Sequence, residues 1–202
     1  MLYVIGITGG VGAGKTEILS YIRRHYSCRI YLADEVAHLV KLPGTECFDK
    51  LLVLLGSGVL DSEGKIDSRH MAEKIFGNEE LLSRVNGIIH PAVRLFIGER
   101  LEEAKGEPGL ELFFIEAALL IEAGYRDIVD EMWYIYADEN VRRRRLRDSR
   151  GYSDSKTEGI INSQLSDREF RENCDFVIDN SGELNDSYEQ IKKKLEAFTW
   201  QG

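Results

Sequence analysis

The stretch Gly9-Gly10-Val11-Gly12-Ala13-Gly14-Lys15-Thr16 narrows the fold of this chain more than any other. It has the form G-x-x-x-x-G-K-[ST], follows the apolar run Leu2-Tyr3-Val4-Ile5-Gly6-Ile7, and precedes a segment with Ile18, Leu19 and Ile22 on one helical face. Glycines are needed there because backbone N–H groups must turn inward around phosphate oxygens, in a conformation and at a distance that a Cβ obstructs. Lys15 then adds a point charge near the β- and γ-phosphates, and Thr16 offers a hydroxyl to Mg²⁺. The following helix presents its N-terminal N–H groups to the anion. Strand, phosphate loop and helix are therefore expected in that order; a merely flexible glycine loop is the alternative.

With 202 residues the chain suits one domain, 1–202, with room for a core and a small insert. A hydrophobic content of 43% with 30% charged residues excludes wholesale disorder. The net charge of −9 argues against a nucleic-acid partner, which needs an extended basic footprint. Cys28, Cys47 and Cys174 are widely separated and odd in number, so neither a disulfide framework nor a zinc site is expected, and a reducing, cytoplasmic setting fits. The histidines form no H-E-x-x-H arrangement. The N-terminal apolar run lacks a preceding positive region and a cleavage-like site, so it reads as a buried strand, with no signal peptide and no membrane partner.

After the first helix, Arg29-Ile30-Tyr31 is a strand candidate, and residues 32–40 continue as a helix with Asp34 at the junction. In a parallel sheet the ligand crevice lies at the carboxyl ends of the strands, so an acid there points towards whatever the loop holds. Asp is also a preferred helix N-cap, and both roles can coexist. Pro43-Gly44 breaks the chain; Phe48, Leu51, Leu52 and Leu55 recur at helical spacing until Gly56 and Gly58. Asp61-Ser62-Glu63-Gly64 formally matches the D-x-x-G switch pattern, yet no N-K-x-D sequence follows it, so it reads as a polar turn. From Ser68 the pattern is helical through Met71, Ile75, Phe76, Leu81, Leu82, Val85 and Ile89. His90-Pro91 is expected to interrupt it, and a new helix to follow with Val93, Phe96, Ile97, Leu101 and Ala104. This block, 60–106, is longer than a crossover requires and reads as a helical insert carrying acceptor contacts.

Leu112-Phe113-Phe114-Ile115 is a buried strand by its unbroken apolarity, with Glu116 at its carboxyl end, and Met132 to Tyr136 is the next. Arg142, Arg143, Arg144, Arg145, Arg147 and Arg150 follow. A solvated basic face accounts for most of them, with two at most escaping it. Beside a triphosphate, arginines supply bidentate donors to transferring oxygens. Residues 149–173 are polar with a thin stripe of Ile160, Ile161, Leu165 and Phe170, which fits two short helices closing as a lid. Phe176-Val177-Ile178 is the fifth strand, Asp179-Asn180-Ser181-Gly182 its turn, and Tyr188, Ile191, Leu195 and Phe198 mark a final packed helix.

Five strands alternating with helices predict a five-stranded parallel sheet in a three-layer α/β/α P-loop NTPase fold of the kinase type, its core at 1–40, 107–148 and 174–202. Phosphoryl transfer needs a phosphate cradle, a metal, an acid that positions the acceptor hydroxyl, and positive charge arriving late. The loop at 9–16, Thr16 with Mg²⁺, Asp34 and the arginine cluster are the candidates.

Ile7-Thr8 with the loop, Ala33-Asp34 with Ala37, Pro43-Gly44, His90-Pro91, Leu119-Leu120-Ile121-Glu122 and Phe176-Val177-Ile178-Asp179-Asn180-Ser181-Gly182 together resemble the dephospho-CoA kinase family, nearly end to end. The resemblance implies transfer of the ATP γ-phosphoryl to the ribose 3′-hydroxyl of dephospho-CoA, giving coenzyme A and ADP in the final step of CoA synthesis. It implies ATP contacts from Gly10, Val11, Gly12, Ala13, Gly14, Lys15, Thr16 and Glu17, with Asn180 and Gly182 near adenine. Asp34 is the acid expected to take a hydrogen bond or proton from the acceptor, and Arg145 and Arg150 are the expected lid contacts, in a register open by a residue or so. Thr8, Asp34, His38, His90, Glu116 and Leu119 are expected on the acceptor side. ATP, Mg²⁺ and dephospho-CoA are the implied ligands of a monomer or weak homo-oligomer.

Two departures stand out. The family often has Asp-x-Asp at the second junction, where this chain has Leu32 for the first acid. The family's Asp-Val-Pro-Leu-Leu after the third strand is here Glu116-Ala117-Ala118-Leu119-Leu120. Both bear on acceptor geometry. The alternatives are another small-molecule kinase, such as a nucleoside or nucleotide kinase, and a non-catalytic nucleotide-binding module.

Overall fold

In the computed structural model of this chain, residues 2–197 are described; Phe198, expected on the last helix, lies outside them. The strands are β1 (Tyr3–Thr8), β2 (Cys28–Leu32), β3 (Leu112–Glu116), β4 (Glu131–Tyr136) and β5 (Phe176–Asp179), in the order β2-β3-β1-β4-β5. β1 runs parallel to both β3 and β4, and β4 parallel to β5. The most apolar strands take the middle of this order, as expected for strands covered on both faces. Ile5, Ile7, Phe113, Phe114, Ile115, Trp133 and Ile135 are fully buried. Phe114, Trp133 and Phe176 form an edge-to-face chain, with ring centroids 6.0 and 5.3 Å apart.

The chain divides into two compact units, Met1–Ile30 with Pro108–Gly202, and Tyr31–Glu107. The first carries α1 (Lys15–His25), α6 (Glu139–Arg150), α7 (Asp154–Asn162), α8 (Asp167–Asn173) and α9 (Leu184–Glu196). The second holds α2 (Ala33–Leu39), α3 (Glu46–Leu55), α4 (Ser68–Ile75) and α5 (Glu79–Lys105), so it takes in α2 and α3 as well as the residues read as an insert. Among the described residues no helix is long and apolar enough to cross a membrane.

Three local expectations change. His90-Pro91 does not end a helix: α5 is continuous over 27 residues with Pro91 inside it. Proline removes the donor to the carbonyl four residues back, that of Gly87, but Gly87 and Pro91 both lie on the exposed side where water can serve that carbonyl. Val85, Ile89, Val93, Ile97 and Leu101 bury one stripe on both sides of the proline and hold the helix through it. Asp34 is not an N-cap, because Leu32 occupies that position and Asp34 is the second helical residue. The segment 149–173 is not uniform either. Phe170, the one buried residue of α8, is 2% exposed and stacks on Tyr134 of β4 at 4.6 Å, so α8 is pinned to the sheet by that ring, while α7 buries only the small Thr157.

The junction of β4 and β5 is fixed by Asp175, which accepts from the Met132 N–H at 2.7 Å and from both terminal nitrogens of Arg126. The hydrogen bond from Arg126 holds its carboxyl below the usual range, against a smaller opposing effect of burial. A carboxylate with a depressed folded pKa stabilises the fold above its unfolded pKa, and that contribution fades as pH falls through the folded value. Asp175→Asn is therefore expected to lower the melting temperature at pH 7 by about 2–4 °C, the size of a screened ion pair worth about 1 kcal/mol. Melts run from pH 7 down to pH 3 should show the gap to the unsubstituted protein narrowing.

Candidate active site

The first turn of α1 has no side-chain cap: its N-cap is Gly14, at φ 92° and ψ 24° in the left-handed region. That conformation suits glycine and leaves the helix's leading N–H groups to a ligand. The approach is as close as the conformation is unusual. A Cβ on Gly14 would overlap Nδ2 of Asn180, and one on Gly10 would overlap the guanidinium of Arg142. Gly12, at φ 83°, would bring a Cβ to 3.0 Å from the Arg142 carbonyl oxygen. The loop is thus a backbone cradle whose outer wall is made by α6 and by the turn after β5.

Lys15 curls back over this cradle. Its Nζ donates to the Gly9 carbonyl at 2.7 Å and lies 3.6 Å from Oε1 of Glu116 at the end of β3. Both side chains are largely buried, at 15% and 13% exposure, so this charge pair is weakly screened and the ammonium is fixed in place. Glu116 was expected on the acceptor side; the structure sets it beside the ammonium of the phosphate loop.

Behind the loop, Asn180 is 1% exposed and both ends of its amide are engaged. Nδ2 donates to the Ala13 carbonyl at 2.7 Å and Oδ1 accepts from Ser187 at 2.9 Å. Arg145 reinforces the same point, donating to Ala13 O at 3.3 Å and to the Asn180 carbonyl at 2.9 Å. Burial lowers the pKa of Arg145, and the neighbouring Arg144 adds to this. The side chain of Asn180 therefore shapes the loop instead of reaching for a base, and Gly182 is exposed in the same turn.

Arg142 belongs to the expected arginine cluster but is not one of the two arginines, Arg145 and Arg150, expected as lid contacts. Its Nε donates to the Val11 carbonyl at 3.0 Å and Nη2 to Oε1 of Gln164 at 2.6 Å, and burial lowers its pKa. The signal was present: Leu146 is the one buried apolar residue of α6, and positions 142, 145 and 149 share its stripe. Arg150 lies at the exposed end of the helix, its guanidinium 5.9 Å from the Tyr152 ring. Arg143 and Arg147 pair with Glu139, Glu158 and Asp148, a solvated basic face.

Thr8, expected on the acceptor side, is fully buried, and its hydroxyl donates to the Ala118 carbonyl at 3.4 Å, so it can serve the site only through that turn. Thr16 and Glu17 are exposed on the first turn of α1, and Leu119 is 53% exposed after β3. In the second unit Asp34 and His38 are exposed one helical turn apart on α2, and His90 is exposed on α5.

The family model described as dephospho-CoA kinase matches residues 3–186. This chain belongs to the dephospho-CoA kinase family. A dephospho-CoA kinase of Carboxydothermus hydrogenoformans is 32% identical over 99% of this chain and 96% of its own length. One from Corynebacterium diphtheriae is 33% identical over 95% and 94%. Among solved structures, TT1252 from Thermus thermophilus superposes with a TM-score of 0.79 at 26% identity over 97% of both chains. A shikimate kinase from Acinetobacter baumannii, in complex with shikimate, shares the fold at a TM-score of 0.54 and 14% identity over 98% of this chain and 94% of its own. Family membership and the α1 cradle meet on the same residues, since the matched region contains the whole loop from Gly9 to Thr16.

Proposed function

We propose that this protein transfers the γ-phosphoryl group of ATP to the ribose 3′-hydroxyl of dephospho-CoA, releasing ADP and coenzyme A, in the cytoplasm. Its membership of the dephospho-CoA kinase family over residues 3–186 carries the substrate assignment. The phosphate loop supports the donor half. Positive-φ glycines at 12 and 14, an uncapped α1 N-terminus and a buried ammonium at Lys15 are complementary to polyphosphate and to nothing apolar.

The residues of the chain then divide the work. Lys15 and the loop amides other than those of Val11 and Ala13, which already donate to Gln164 and Gly10, hold the β- and γ-phosphates, and Arg142 and Arg145 keep the loop in shape from outside and behind. Asp34 accepts the hydrogen bond of the acceptor hydroxyl, directing an oxygen lone pair at phosphorus and taking the proton as the new P–O bond forms. Thr16, exposed at the first turn of α1, is the chain's hydroxyl ligand for Mg²⁺; among the described residues no cluster of three His, Cys, Asp or Glu competes for a metal. Mg²⁺ suits that donor, since it takes few protein ligands and keeps water and phosphate oxygens, and when bound it offsets the polyphosphate charge. α7, whose one buried side chain is the small Thr157 where α8 is pinned to β4 through Phe170, is the part of 149–173 suited to close over the nucleotide.

The assay is direct. Incubation with MgATP and dephospho-CoA should yield ADP and an acceptor heavier by one phosphoryl group, by mass spectrometry. Phosphorylation of a nucleoside with none of dephospho-CoA would overturn the assignment.

A further inference from the structure

Between α7 and α8 the side chain of Gln164 reaches the phosphate loop. Oε1 of Gln164 accepts two hydrogen bonds, from the Val11 N–H at 3.1 Å and from Arg142 Nη2 at 2.6 Å. Arg142 in turn donates through Nε to the carbonyl of the same Val11, at 3.0 Å. The N–H and the C=O of residue 11 are therefore both held, one by the amide oxygen of Gln164 and the other by the guanidinium that Gln164 itself orients. Gly10 lies under that guanidinium, so closely that a Cβ would overlap it, and the Gly10 carbonyl accepts from the Ala13 N–H at 3.1 Å. Val11 is thus fixed on the outer side of the turn that carries the chain into Gly12, Ala13 and Gly14. A second anchor stands on the other side of the segment bearing Gln164. Two residues further on, the Ser166 hydroxyl and the Glu169 carboxylate form a capping box at the start of α8. α8 is seated on β4 through Phe170 and Tyr134.

We propose that Gln164 is a positioning residue for nucleotide binding. By taking one donor from the loop and one from Arg142, it holds the Gly10–Val11 half of the phosphate loop in the shape that receives phosphate, and it ties the bend that follows α7 to that shape. Gln164 itself does not touch the nucleotide; its effect passes through Val11 and Arg142. The proposal rests on reading the loop as the ATP site, and its consequence is directional. Nucleotide affinity should depend on the acceptor oxygen at position 164, while affinity for the phosphoryl acceptor should not.

The test uses the full chain and MgADP as probe, with the dissociation constant measured by calorimetry in the absence of acceptor. Gln164→Met keeps the length of the side chain and removes the oxygen. It is expected to weaken MgADP by about tenfold, the effect of one to two lost hydrogen bonds. Gln164→Glu keeps an acceptor facing Arg142 and should stay within about threefold of the unsubstituted protein. Arg142→Ala should weaken MgADP to a similar degree as Gln164→Met. The double variant should fall well short of the product of the two, because both changes undo one network. In turnover, KM for ATP should rise while KM for dephospho-CoA stays within about twofold. Gln164 is half-buried at a bend, and Gln164→Ser, a shorter side chain with no steric demand, covers the case in which the methionine variant folds poorly.

The idea is overturned if Gln164→Met and Gln164→Ser bind MgADP like the unsubstituted protein. Multiplicative effects of the two positions, or equal losses in the glutamate and methionine variants, would overturn it as well. A protein that binds MgADP but leaves dephospho-CoA unphosphorylated would undo the substrate assignment and leave this result standing.

Discussion

Asp34→Asn is expected to lower kcat for phosphorylation of dephospho-CoA by about 10²–10³-fold, with MgADP affinity within about twofold of the unsubstituted protein. The substitution is nearly isosteric and keeps a carbonyl oxygen, so the helix should survive. Asp34 makes no capping bond that an amide could spoil, since Leu32 holds the N-cap position of α2. What changes is the ability to accept a proton as the new P–O bond forms. Phosphoryl transfer goes through a loose transition state in which the attacking oxygen bears little developing charge, so the base contributes through alignment as much as through basicity. That places the expected loss in the middle of the range for general bases. Single-turnover measurements with saturating MgATP would read the chemical step alone. Unchanged kcat in Asp34→Asn would mean that some other group orients the acceptor, and a fall in MgADP affinity to match kcat would mean that Asp34 serves the nucleotide.

The parts of this protein that were legible in sequence are those set by local rules. Four apolar residues in a row at Leu112–Ile115, rich in aromatic and β-branched side chains and preceded by Pro108-Gly109, read as a strand buried on both faces, and Gly9–Thr16 between such a strand and a helix has one well-known use. Sequence position was less informative where a residue's job depends on what packs against it. Asn180 and Thr8 were expected to touch ligands, yet both are buried and committed to carbonyl groups, Asn180 to Ala13 and Thr8 to Ala118. Nothing local distinguishes an amide that binds a base from one that buttresses a loop far away in sequence. Pro91 shows the opposite error. A strong local signal for a break lost to a buried stripe that continues on both sides of it. The arginine run combined both problems, because composition marked the region but only the position of Leu146 picks out the stripe that turns towards the loop. Gln164 carried no signal at all. A polar residue in a polar segment acquires meaning only when the fold brings it to Val11.

Lys15→Met should abolish most activity, lowering kcat/KM by about 10³-fold, because in the proposed reaction the ammonium is the loop's full positive charge facing the migrating phosphoryl group. The structure makes a narrower statement than the motif does. Lys15 is clasped between the Gly9 carbonyl, 2.7 Å away, and Glu116, at 3.6 Å, with little solvent around either side chain. A single tetrahedral nitrogen satisfies both. A planar guanidinium is broader and presents its donors in a fork, so Lys15→Arg is expected to recover little of the loss despite keeping the charge. The same clasp predicts a separation of stability from activity. In Lys15→Met the carboxylate of Glu116 loses its ammonium partner in a poorly hydrated place, and the fold should weaken measurably. Adding Glu116→Gln removes that charge and should restore much of the melting temperature while turnover stays low. If activity returned together with stability, the role of Lys15 would be to neutralise Glu116 and not to hold phosphate. If Lys15→Arg were fully active, the precise fit of one nitrogen between Gly9 and Glu116 would have no catalytic meaning.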